Sequence, residues 1–160
     1  MNLFRQEFRK LLDDKRIDKD KIKIRFIGRL NLLPSDLQKL MKEIMEKTKK
    51  YNNYAINFAL AYSGRAEIID AVKRIVEKIE KKDLSEKDIN EKNFLSELYI
   101  KDEPDLIIRT GGERRISGYL LYQGSYAELS FCDKMWPEFE KKDLITAIED
   151  FKMRDRRFGK

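Results

Sequence analysis

"YAINFALAYSGRAEIIDAVKRIVEKI", residues 54–79, decides the fold. Residues 54–62 are a nearly continuous apolar run, typical of a strand covered on both faces, and Ile68, Ile69, Val72, Ile75, Val76 and Ile79 then recur at helical spacing. Ser63-Gly64-Arg65 is the break between them, so the stretch reads as one strand–helix unit. Upstream, "IKIRFI" (22–27) alternates apolar and basic residues as a strand does. "LLPSDLQKLMKEIMEKTKK" (32–50) follows it, with Ser35 as N-cap and Leu37, Leu40, Met41, Ile44 and Met45 on one helical stripe. Downstream, "NEKNFLSELY" (90–99) predicts a short helix that Pro104 stops, "DLIIRT" (105–110) a buried strand, and "AELSF" (127–131) a fourth strand. A last helix is expected from Glu140 to about Arg156, with Leu144, Ile145, Ile148 and Phe151 on its apolar side. Strands alternating with helices predict an α/β fold, a mainly parallel sheet flanked by helices on both faces. With no repeat and no linker rich in Pro, Gly or Ser, residues 1–160 are expected to form a single domain.

Composition removes several kinds of chemistry. With no histidine and one cysteine, Cys132, the sequence holds no Ser-His-Asp or Cys-His arrangement, no internal disulfide and few ways to bind zinc. Catalysis within these residues must use carboxylates, hydroxyls, arginines or a hard metal. Hydrophobic residues at 41% are enough for a core, charged residues at 40% keep a surface wet, and no stretch is apolar enough to cross a bilayer, so a soluble globular domain is expected. Cys132 reads as a small buried residue, and Trp136-Pro137 as a loop closure that packs the entry to the last helix. Net charge is +6, and "KMRDRRFGK" at the end holds five basic residues and one acidic. That tail is either a helix end whose cations suit the dipole or an anion-binding patch.

The strand at 105–110 runs into "RTGGERRIS" (109–117), two glycines surrounded by arginines. Open α/β sheets bind ligands outside the carboxyl ends of their strands, and this loop lies at one. Arg109, Arg114 and Arg115 present planar forks that meet phosphate oxygens in pairs, Gly111 and Gly112 let backbone N–H groups approach an anion, and Ser117 adds a hydroxyl. The alternative is a glycine turn whose arginines pair with surface carboxylates such as Glu113. No G-x-x-x-x-G-K-[ST] or G-x-G-x-x-G pattern occurs, so the usual nucleotide loops are unsupported. Glu128, at the start of the fourth strand, suits either a Mg²⁺ ion shared with substrate phosphates or an ion pair to an arginine.

Taken in order, "RFIGRLNLLPSDLQ", "NFALAYSGRAEIIDA", "DLIIRTGGERRISGYLLYQGSYAELSF", "WPEF" and "RDRRFG" resemble the cis-prenyltransferases, the family of undecaprenyl diphosphate synthase, over practically the whole chain. The resemblance implies a Mg²⁺-dependent homodimer that condenses isopentenyl diphosphate with an allylic diphosphate, expelling pyrophosphate and building a cis-polyprenyl diphosphate. It implies a cytoplasmic setting, with peripheral contact to a membrane through the lipid product. Carried over by position, Arg109, Arg115 and Ser117 hold the isopentenyl diphosphate and Glu128 ligates the metal. Arg157 and Gly159, in a terminal R-x-G, reach across the dimer interface to the partner's diphosphate.

The sequence also departs from the family pattern. Arg114 stands where many members have histidine, Ser63 replaces the first glycine of Tyr-Gly-Gly-Arg, and Gly118-Tyr119 stands where Asn-Phe is common. The loop of type D-G-N-x-R, whose aspartate binds metal and whose backbone and arginine grip the allylic diphosphate, has no counterpart among these residues. No catalytic aspartate is therefore assigned. "MNLFRQEF" resembles the middle of a family helix, so the chain is expected to be the C-terminal portion of such an enzyme, inactive alone. Two other functions compete: a non-catalytic subunit that completes a partner's site through its R-x-G tail, and a basic nucleic-acid-binding domain. The retained arginines and Glu128 weigh against the first, and the lack of stacking aromatics among the arginines against the second.

Overall fold

The computed structural model describes residues 2–155. The chain divides into two compact units, Met1–Tyr62 and Ser63–Lys160. No helix among the described residues is long and apolar enough to cross a membrane.

The first unit begins with α1 (Asn2–Asp13) and a short α2 (Lys15–Lys19), continues through β1 (Ile22–Ile27), and turns at Leu30–Leu32 into α3 (Ser35–Thr48) before β2 (Tyr54–Ala59). β1 and β2 are parallel, in register from Ile22 opposite Tyr54 to Ile27 opposite Ala59. Phe8 of α1, Ile17 of α2, Ile24 and Phe26 of β1, and Leu37, Met41 and Ile44 of α3 close the core. The Phe8 ring lies 4.9 Å from Phe26, and Phe26 stacks on Phe58 at 5.4 Å, an aromatic contact that adds to the area buried. At the end of α3 the buried Thr48 hydroxyl accepts from Ile24 N–H at 3.1 Å and donates to Ile44 C=O at 2.9 Å, joining helix to strand without an orphaned polar atom.

Two local expectations are corrected here. Ser35 is the first residue of α3 rather than its cap; Pro34 precedes the helix and no side chain caps it. The run at 54–62 is not covered on both faces: Tyr54 is 66% and Ile56 43% exposed, because β1 is the only strand bonded to β2 among the described residues.

The second unit runs α4 (Gly64–Glu80), a turn at Glu86–Asp88, α5 (Glu91–Ser96), β3 (Leu106–Arg109), β4 (Glu128–Phe131), a turn at Trp136–Glu138 and α6 (Lys141–Met153). β3 and β4 are also parallel, Leu106 opposite Glu128 and Arg109 opposite Phe131. The expected α/β fold with parallel pairing is observed, as two strand pairs rather than one continuous sheet among the described residues. The helix faces differ from expectation. In α4 the buried stripe is Gly64, Glu67, Ala71 and Ile75, while Ile69, Val72 and Val76 face outward; in α6 Ala147 is buried and Leu144, Ile145 and Ile148 are exposed. Trp136 is exposed too and stacks on Phe139, whereas Cys132 is half-buried.

Candidate active site

At the carboxyl end of β3 the Arg109 guanidinium turns back on its own loop. Its Nη1 donates to the Arg115 carbonyl and, at 2.9 Å, to Ser117 Oγ. Three of the residues expected to hold a diphosphate are thereby brought together by one side chain. Ser117 has φ +48° and Gly118 φ +79°, so the chain reverses here through the left-handed region, where a non-glycine residue such as Ser117 is held only by its surroundings. The Gly64 N–H supplies part of that hold: at the start of α4 it donates to Gly118 C=O at 2.9 Å.

The glycine pair serves a different purpose from the one expected. Gly111 and Gly112 do have positive φ, +91° and +74°, but their N–H groups donate to Lys134 C=O at 2.8 Å and Cys132 C=O at 3.1 Å. Those two donors fix the loop against the segment after β4 instead of waiting for an anion. Any anion met at this loop would therefore meet side chains. Arg115 is ion-paired with Glu113, the surface carboxylate that the alternative reading had named, and both are well exposed.

Beside Arg109 lies a hollow of about 260 Å³ walled by Ile107, Ile108, Ile116, Tyr119, Leu129 and Phe131. It is small for a ligand site and mostly apolar, room for a short hydrocarbon rather than a second polar group. Tyr119 on its wall has its hydroxyl pKa raised, by burial first and by the charge of Glu67 second.

Glu128 opens β4 as expected, at the end of the strand pair away from the Arg109 loop. The register puts it opposite Leu106, three residues along the strand pair from the Arg109 level, or about 10 Å at the usual rise. Its partner is none of the loop arginines: Oε2 accepts from Arg154 Nη1 at 2.8 Å, while Arg154 also donates to Leu129 C=O at 3.0 Å and to Asp150. The bond to Glu128 is the main cause of a raised Arg154 pKa. Among the described residues no three His, Cys, Asp or Glu side chains gather as a metal site. Mg²⁺ takes few protein ligands and completes its shell with water and phosphate oxygens, so one carboxylate suits it, but this one is neutralised by a guanidinium that repels a divalent cation. Glu128 fits as a single ligand only if Arg154 turns away. Arg157 and Gly159 lie outside the described residues.

The sequence did not single out Glu67. It is 1% exposed on α4, and its Oε1 accepts from Tyr99 N–H at 2.8 Å, Gln123 Nε2 at 3.0 Å and Ile100 N–H at 3.4 Å. The signal was present in the small residues Gly64 and Ala71, which share a stripe with Glu67 and mark the closely packed side of the helix.

Comparison with known proteins identifies the family. Residues 1–159 match the family described as "Putative undecaprenyl diphosphate synthase". The tritrans,polycis-undecaprenyl-diphosphate synthases (geranylgeranyl-diphosphate specific) of Methanocaldococcus jannaschii and Pyrococcus abyssi are each 46% identical over the whole chain. The chain spans 59% and 61% of their respective lengths. Among solved structures, a probable undecaprenyl diphosphate synthase from Campylobacter jejuni superposes with a TM-score of 0.87 at 33% identity, covering 99% of this chain and 72% of that one. Lavandulyl diphosphate synthase from Lavandula x intermedia, solved with dimethylallyl diphosphate, gives 0.87 at 29% identity, covering 99% and 67%. With the family matched over nearly every residue, the chain belongs to the undecaprenyl diphosphate synthase family, the cis-prenyltransferases.

Proposed function

We propose that this chain supplies the isopentenyl diphosphate half of a cis-prenyltransferase active site, in an enzyme that condenses isopentenyl diphosphate with an allylic diphosphate to build a cis-polyprenyl diphosphate. The observation that carries the reading is the Arg109 clasp on Ser117 and the Arg115 carbonyl, set at a strand's carboxyl end beside an apolar hollow. The diphosphate lies on Arg109, Arg115 and Ser117, and the five-carbon unit points to the hollow. For Arg115 this means exchanging Glu113 for substrate. An exposed ion pair is worth about 0–1 kcal/mol and a hydrogen bond to a charged group about 1.5–3, so the exchange favours the diphosphate.

The isopentenyl double bond attacks the allylic carbon, the carbon–oxygen bond breaks with its electron pair on the departing pyrophosphate, and a proton leaves the isopentenyl unit as the new cis double bond forms. Holding one reactant by two arginine forks and a hydroxyl contributes orientation, a term that can be large for a two-substrate reaction. With Arg154 turned away, Glu128 would hold a Mg²⁺ ion together with substrate phosphates, and that ion would supply charge neutralisation for the departing pyrophosphate. The names of the archaeal relatives support geranylgeranyl diphosphate as the allylic substrate. A homodimer, with Arg157 and Gly159 reaching the partner's diphosphate, completes the proposal.

Only one diphosphate finds donors of this kind in the sequence, so the chain by itself should not elongate. With labelled isopentenyl diphosphate, geranylgeranyl diphosphate and Mg²⁺, the purified chain is expected to give no labelled polyprenyl product. Elongation well above background would overturn the half-site assignment.

A further inference from the structure

We propose that the lysine-rich face at the amino ends of β1 and β2 docks on a bilayer with anionic headgroups. The choice of a bilayer as partner rests on the proposed polyprenyl product; the charge of the face stands without it.

Residues 15–23 carry five basic and two acidic side chains and residues 47–50 three basic and no acidic, a net charge of +6 within thirteen residues. The fold gathers them. Lys47 is ion-paired with Asp18 at 3.1 Å, and the Tyr51 hydroxyl donates to the same carboxylate at 2.9 Å. Lys21 Nζ lies 4.9 Å from the centre of the Tyr51 ring, and Asn53 N–H donates to Lys21 C=O at 3.2 Å. α2, the end of α3 and the starts of both strands thus share one edge of the first unit. Little on that edge neutralises the charge. Asp14 is taken by Arg16 and Asp18 by Lys47, and no carboxylate among the described residues pairs with Lys19, Lys21, Lys23 or Lys50. Of these four, Lys23 is half-buried and the others are exposed.

Two ordinary explanations fall short. Cations at the end of α3 suit the helix dipole, which accounts for Lys47, Lys49 and Lys50 but not for Lys21 and Lys23, one just before β1 and one on it. A second substrate site is at odds with the strand direction: parallel strands bind ligands beyond their carboxyl ends, and the length of β1 puts that end about 17 Å away. Residue type separates the remaining polyanions. Lysine is a compact, hydrated point charge without a fork for base edges, so the patch suits a fluid sheet of headgroups better than a nucleic-acid groove. Tyr54, opposite Ile22 and 66% exposed, adds a ring with a polar tip, the kind of side chain that sits at headgroup depth. A polyprenyl chain is driven out of water, so an enzyme that makes one gains from lying on the membrane that receives it.

The test is co-sedimentation of the full chain with vesicles of phosphatidylcholine alone or of equal parts phosphatidylcholine and phosphatidylglycerol, after melting curves establish folding. Wild type is compared with a variant carrying Lys19→Gln, Lys21→Gln, Lys23→Gln and Lys50→Gln. A charge-matched control in the second unit carries Lys73→Gln, Lys81→Gln, Lys87→Gln and Lys92→Gln, all at exposed positions. Wild type should bind the anionic vesicles only, and release them near about 1 M salt, where the screening length falls to about 3 Å. A basic residue near an anionic surface strengthens binding about fivefold, so the first variant should bind at least about 100-fold more weakly and the control stay within about fivefold of wild type. Wild type that ignores anionic vesicles overturns the proposal, and so does an equal loss in variant and control. Binding of duplex DNA that the first variant loses, with no binding of vesicles, overturns it in favour of nucleic acid. If the first variant does not fold, Lys19→Gln with Lys50→Gln decides: a loss of about tenfold or more supports the surface, and no loss overturns it. Pyrophosphate affinity should be the same in all these proteins, so a wild type that binds anionic vesicles and no pyrophosphate would sink the proposed function and leave this surface standing.

Discussion

Glu128 Oε2 accepts from Arg154 at 2.8 Å, so under the proposed function an ion pair and a metal would compete for one oxygen. The pair is about one-third exposed on both sides, where such contacts are weak and screened, so a substrate-bound divalent ion would displace the guanidinium. In an enzyme containing this segment, Glu128→Gln should therefore lower Mg²⁺-dependent turnover much more than it lowers melting temperature, since an amide oxygen is a poorer ligand for a hard cation. A variant that melts earlier and keeps its metal dependence would assign Glu128 to Arg154 alone. Residue by residue, the sequence was most informative where types cluster: three arginines and a serine around two glycines marked the loop in which Arg109 meets Ser117 and the Arg115 carbonyl. It was silent where a polar residue acts alone. Nothing in the letter at position 67 separates a solvated helix glutamate from a buried one that accepts from three donors, because that difference lies in the segments at 99–100 and 123, which only the fold brings near.

At the scale of elements, strands, helices and their order were legible, and the direction each helix faces was not. Periodicity says which side chains share a face of α4; it does not say what lies opposite. Gly64 lies on the buried side because the backbone of Gly118 approaches it closely, Ala71 and Ile75 follow on the same stripe, and Ile69, Val72 and Val76 are left outward. Gly64 tests this directly. A Cβ there would lie 2.4 Å from Gly118 C=O and 3.0 Å from Leu121, and the obstructing oxygen is backbone. Gly64→Ala should destabilise the chain by about 1–3 kcal/mol, the usual cost of overpacking, as read by urea denaturation. Pyrophosphate affinity should fall with it. Unchanged stability and affinity would mean that α4 does not hold the loop as described. The glycine turn at 111–112 was legible as a turn but not in its purpose, because the carbonyls of Cys132 and Lys134 that take its N–H groups come from beyond β4.

For the whole molecule, charge is divided in a way that local reading missed. Residues 1–62 carry 15 basic and 8 acidic side chains, residues 63–160 carry 20 and 21, so the unit with the diphosphate loop is nearly neutral despite its cationic tail. Under the proposed function, then, the diphosphate would be selected by a local cluster of guanidinium forks rather than by a general positive field over that unit. Arg109, Arg115 and Ser117 are the proposed cluster. Calorimetric titration of the chain with pyrophosphate, wild type against Arg115→Ala, tests it most directly. Losing one arginine fork should weaken binding by about 1.5–3 kcal/mol, roughly 10- to 150-fold. Equal affinities for the two proteins would contradict the claim and move the site away from this loop.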